Sequence, residues 1–170
     1  MSEQIDAGAV ELAETRTELR REAFEMALYV AICLLAALTA VSDDHTNELQ
    51  VFEIVWGTTL GLSLAHWFAF NVSSRLVSVG QERKRERDVV FAQLSGAAAV
   101  AVIATIPIVL LPTSVEFDVV RFVLAFVISV VGYEVARSSG ADRMRSFLYA
   151  LAVMVVANLV VVIKNFLLGH

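Results

Sequence analysis

Long apolar runs alternate with short polar stretches along this chain, and the apolar runs set the elements. They cover about 23–41, 50–72, 89–111, 117–136 and 146–168. A helix needs about 20 apolar residues to cross roughly 30 Å of hydrocarbon, so each run predicts one spanning helix. Strands of a membrane barrel would be shorter and would alternate residue by residue. The predicted fold is all-α: a polytopic bundle of five transmembrane helices over 23–170, preceded by a short cytoplasmic amphipathic helix over 1–22.

Residues 8–22 contain no Pro and are rich in Ala, Glu, Leu and Arg, so their helix should run straight into the first span. Ile5, Leu12, Leu19 and Met26 recur every seven residues. That spacing outlines a narrow apolar seam of the coiled-coil kind, interrupted by Arg16. A helix lying at the membrane surface is the other reading. Pro112 should stop the third helix and Pro107 should bend it. The short stretch 112–116 predicts an antiparallel hairpin between the third and fourth spans.

Charge orients the bundle. Of the 13 Lys and Arg residues, all but Arg121 and Lys164 fall in three polar stretches. These are Arg16/Arg20/Arg21, then Arg75 with Arg83/Lys84/Arg85/Arg87, then Arg137/Arg143/Arg145. The loops at 42–50 and 112–118 have no Lys or Arg. Basic loops on one side only are the positive-inside pattern, which puts the N-terminus in the cytoplasm and the C-terminus outside the cell membrane.

Composition agrees: 58% of the residues are hydrophobic and the mean hydropathy is +0.70. The net charge of −5 hides the segregation of basic residues, which sit against membrane ends where lipid headgroups explain them. Nucleic acid is not an expected partner; the lipid bilayer is. Cys33 is the single cysteine and lies in an apolar run, so neither an internal disulfide nor a thiolate metal site is expected. The polar, acid-rich start does not resemble a cleavable signal peptide.

Candidate chemistry lies in the few polar residues within the spans. Glu53, Arg121 and Lys164 fall near the outer ends of three different spans, where Glu53 bonded to Arg121 or Lys164 would form a charged level at the mouth of a pathway. Snorkelling of the two bases to the headgroups is the alternative. Toward the cytoplasm His66 is either a proton-responsive, solute-contacting group or a histidine bonded to a neighbouring helix. Asn71 and Asn158 add amides, and Asn158, near the middle of its span, is expected to bond another helix. Glu134 with Arg137, and Glu25 with Arg21, stand at salt-bridge spacing along one helix. Gly57, Gly61, Ala65 and Ala69 form a ridge of small residues suited to close helix packing, within the bundle or between subunits. Asp43, Asp44, His45 and Glu48 could gather a cation weakly; a solvated acidic loop is the plainer reading, and no metal or cofactor is expected.

The stretch Arg20-Arg21-Glu22-Ala23-Phe24-Glu25 loosely resembles the opening of six-helix potassium channels marked by Arg and then Phe-Ser-Asp. It departs at Glu25-Met26, where those channels have Ser-Asp, and in having five spans. The resemblance adds to a channel expectation and carries over no site residue.

Motifs for soluble or zinc-dependent catalysis are missing, with no HExxH, no phosphate-cradling Gly-Lys-Ser loop and no GxSxG elbow, so an enzyme is not expected. Polar side chains at several depths favour an oligomeric channel or small transporter for an ion or small solute, because one small bundle has little interior to enclose a passage. The rival expectation is a structural or accessory subunit without a pathway of its own.

Overall fold

One helix, α1 (Ser2–Thr39), is the post around which the others stand: α2 (Glu48–Val77), α3 (Glu82–Leu110), α4 (Thr113–Ser138) and α5 (Arg143–Leu168). This computed structural model describes the backbone of residues 2–41, 48–77, 82–111, 113–138 and 140–168. Within these, it describes the side chains of 13–41, 49–73, 85, 87–111, 119–138, 140–159, 162, 163 and 166. Each helix overlaps one predicted span, and α1 continues unbroken from the N-terminal arm into the first apolar run, as its lack of Pro and Gly breaks over 9–39 allows.

α1 packs against all four other helices, most extensively against α3, while α4 and α5 pair with each other. Its Val30, Ala31, Leu34 and Leu38 are completely buried among Val100, Ala101 and Ala104 of α3 and Val120, Leu124 and Ile128 of α4. Met26 of the heptad seam belongs to this core, whereas the side chains of Ile5 and Leu12 lie outside the described residues. The exterior is also apolar. Leu60, Leu64 and Phe68 on α2, Phe91 and Val109 on α3, Phe122 and Phe126 on α4, and Phe147, Val155 and Leu159 on α5 all stand exposed. Apolar inside and apolar outside is an arrangement that water does not stabilise and hydrocarbon does.

Among the described residues, three helical stretches are long and apolar enough to cross a membrane: Ala13–Thr39, Arg87–Leu110 and Val119–Ser138. The expectation of five such helices is thus met for three. α2 falls short because Glu53, Trp56, His66 and Trp67 interrupt its apolar run, and part of the outer end of α5 lies beyond the described side chains.

Helix ends follow local chemistry. α3 ends at Leu110 with Pro107 inside its last turn, and Leu111 N–H still reaches the Pro107 carbonyl at 3.0 Å. Between α4 and α5, Gly140 takes a left-handed φ of +81°, and Ala141 N–H closes on the Ala136 carbonyl at 3.2 Å, a glycine C-cap. Asp142 then takes the N-cap position of α5, its carbonyl accepting from Ser146 N–H at 2.9 Å and its Oδ1 from the adjacent Arg143 N–H at 2.7 Å. Arg137 is drawn into this turn, donating from Nη1 to the Ala141 carbonyl at 2.9 Å. The expected Glu134–Arg137 pair is therefore replaced: Glu134 pairs with Arg20 of α1 at 3.4 Å. The other ion pair among the described residues is Arg85 with Glu18 at 2.6 Å, so Glu25 with Arg21 does not form one. Both observed pairs are solvated and contribute little.

Candidate functional site

Where α1 leaves its charged N-terminal half, polar side chains from three helices meet. Gln93 of α3 donates from Nε2 to Glu22 Oε2 of α1 at 2.7 Å. Its Oε1 lies 2.7 Å from His66 Nε2 of α2. With the amide nitrogen on the carboxylate, only the amide oxygen faces the imidazole. An oxygen of that kind accepts but does not donate, so His66 Nε2 carries the hydrogen and Nδ1 remains the acceptor in the neutral ring. The chain of donors runs one way, from His66 through Gln93 to Glu22. His66 thus bonds to a neighbouring helix, as one of its two readings expects. A cleft of about 420 Å³ between α1 and α2 opens beside the relay, with Glu25, Tyr29, Ile32, His66 and Gln93 on its walls.

Gln93 and Glu22 were not anticipated as functional residues. The signal was slight: Gln93 is the only amide in the apolar run 89–111.

The remaining candidates do not converge on this point. Arg121 of α4 donates from Nη2 to the Leu38 carbonyl of α1 at 2.8 Å. Among the described residues the only backbone donor on that carbonyl is Val41 N–H at a long 3.4 Å, and the helix dipole at this end of α1 also favours a cation. Glu53 stands exposed on α2 and no ion pair joins it to Arg121. The expected outer charged level is thus not assembled from these two residues within one protomer. The side chain of Lys164 lies outside the described residues, as do Asp43, Asp44, His45 and the side chain of Glu48.

Both amides turn back on their own helices. Asn71 Nδ2 donates to the Trp67 carbonyl and Asn158 Nδ2 to the Met154 carbonyl, each at 2.8 Å. Asn158 is exposed, so its amide nitrogen is met within α5 rather than by another helix, a shorter route to the same satisfaction. Trp56 adds a second polar link between α2 and α3 beside His66–Gln93, its Nε1 donating to Thr105 Oγ1 at 3.0 Å.

The small-residue ridge also faces outward. Gly57, Gly61, Ala65 and Ala69 are all exposed, and a Cβ added at Gly57 or Gly61 would meet no atom within 4 Å. Glu53 stands four residues before Gly57, at the outer end of the same exposed line. Close helix packing inside the protomer occurs elsewhere, at Gly96 of α3, where a Cβ would run into the Ala23 carbonyl of α1. Gly132 makes a milder approach to α5, with Val153 Cβ 3.3 Å from where its own Cβ would be. No cluster of three His, Cys, Asp or Glu side chains suited to a metal occurs among the described residues.

Comparison with known proteins gives no match: no family model, no curated protein and no solved structure is similar to this chain.

Proposed function

We propose that the chain is a five-span protein of the cell membrane, N-terminus cytoplasmic and C-terminus outside, that assembles as a homo-oligomer. In this reading it is a channel or small transporter, and an ion or small solute passes between protomers along α2. One observation carries the reading. Polar and small residues gather in a single exposed line on α2, from Glu53 through Gly57, Gly61 and Ala65 to Ala69, while the protomer interior is filled by aliphatic side chains. A carboxylate turned toward hydrocarbon is unfavourable, and small residues in contact with lipid forgo the backbone approach they permit. Both are better accommodated against a second copy of the same face. α2 and α5 complete the span count because they lie along helices that qualify by themselves, and the basic stretches then share one side. The reading assigns no catalytic chemistry.

The test is solute flux into liposomes containing only the purified protein. Flux that changes on Glu53→Gln supports the passage. Absent flux in the parent, or flux indifferent to that substitution, defeats it.

A structural or accessory subunit is the second reading, and the polar groups favour it in one respect. His66 Nε2 and the amide nitrogens of Asn71 and Asn158 already have partners within the protomer, and the three residues do not converge on one point. Co-purification of a stoichiometric membrane partner, with no flux from the chain alone, would select this reading.

A further inference from the structure

Two cavities on the α1–α4 side of the bundle differ in chemistry and share a wall. The first, about 740 Å³, lies at the N-terminal half of α1 against the C-terminal end of α4, and it is lined by Arg16, Arg20, Arg21, Glu134 and Ser138. Three guanidinium groups face one carboxylate there, and Arg21 also borders a recess with Glu14, Glu18 and Glu22. Only Arg20 is engaged with Glu134, while Arg16 and Arg21 form no ion pair among the described residues. The second, about 440 Å³, is an apolar groove running deeper between α1, α3 and α4, along Ala99, Ile103, Phe126, Val127 and Val130. Phe24 borders both, with the Arg20 guanidinium carbon 5.2 Å from its ring centroid. A cationic recess thus opens directly onto an aliphatic slot that follows the helix axes.

We infer that this composite site holds an anionic phospholipid of the cytoplasmic leaflet, its phosphate among Arg16, Arg20 and Arg21 and an acyl chain in the groove below Phe24. Each half calls for a different part of one molecule. A soluble phosphate would leave the groove empty, and a neutral lipid would gain nothing from the two guanidinium groups that form no ion pair among the described residues. Arginine suits the headgroup because its fork of N–H donors matches phosphate oxygens in pairs. Basic recesses at the cytoplasmic ends of membrane helices attract anionic headgroups in this way. The site needs membrane insertion with the N-terminus inside. It does not need the passage along α2, so it stands if flux is absent.

Binding is read from the thermal unfolding midpoint of the full chain in detergent, titrated separately with phosphatidylglycerol, phosphatidylcholine and glycerol phosphate. Phosphatidylglycerol is expected to raise the midpoint, phosphatidylcholine to do so far less, and glycerol phosphate not at all. The double variant Arg16→Gln/Arg21→Gln should weaken the apparent phosphatidylglycerol affinity about tenfold or more. Ala99→Phe, at an exposed position, should block the groove without changing charge and weaken it similarly. Circular dichroism identifies any variant that has lost its helices, and the other variant then decides. Equal response to the two lipids, a glycerol phosphate effect matching phosphatidylglycerol, or a helical variant that binds like the parent would overturn the site.

Discussion

Gly96 of α3 lies against the carbonyl of Ala23 in α1 so closely that a methyl group at position 96 has no room. The obstacle is main chain rather than a movable side-chain tip, so one helix must shift to admit it. This contact anchors the most extensive interface in the bundle.

Gly96→Ala is therefore expected to destabilise the protein by about 1–3 kcal/mol, the usual range for overpacking a filled interior. Reversible unfolding in detergent measures it. Gly61→Ala serves as the comparison: nothing of the neighbouring helices lies within 4 Å of its new methyl group, and the monomer should be unchanged or up to about 1 kcal/mol more stable through the helix propensity of Ala. Equal effects at the two sites would mean that α1 and α3 are not packed as described.

The relay from His66 to Glu22 predicts an order of severity. Gln93→Leu removes the partner of both ends and leaves a carboxylate without its donor, at a cost of about 1–3 kcal/mol. His66→Leu leaves the Gln93–Glu22 bond intact and should cost less. The interaction energy from the His66/Gln93 double-mutant cycle should be well above zero, whereas His66 with Asn158 should be additive. A strictly additive His66/Gln93 pair would contradict the bond.

Arg121 closes the end of α1 through the Leu38 carbonyl. Arg121→Leu should lower stability by roughly 1.5–3 kcal/mol, the range for a hydrogen bond to a charged group. Arg121→Lys should recover part of it, since an ammonium keeps the charge at the helix end but loses the planar fork. If Arg121 only snorkelled to headgroups, Leu would destabilise little and Lys would match the parent.

The helices were legible in the sequence because apolar runs of spanning length, broken by Pro, Gly and charge clusters, leave few alternatives. Side-chain pairing was less legible. Gln93 meets residues 71 and 27 positions away, which no local spacing reveals. Glu134 stands three residues from Arg137, yet the turn at Gly140 claims Arg137 for the Ala141 carbonyl, and Glu134 turns to Arg20 across the interface. Close contact between helices fell where spacing did not point. The regular ridge on α2 looks the stronger on spacing, but the run Ser95-Gly96-Ala97-Ala98-Ala99 on α3 is the one that meets α1. Spacing shows that a face is smooth and leaves open which neighbour reaches it. The amide of Asn158 was read as interhelical, but its nitrogen found a carbonyl one turn back on its own helix.

The account as a whole turns on whether copies of this chain meet through the exposed line on α2. With Cys33→Ser as background, a single cysteine is placed at Gly61 or, for comparison, at the exposed Phe122 of α4, and native membranes are oxidised. Gly61→Cys should form a disulfide-linked dimer rapidly and Phe122→Cys should stay monomeric. A dimer from Phe122→Cys with none from Gly61→Cys would contradict the account.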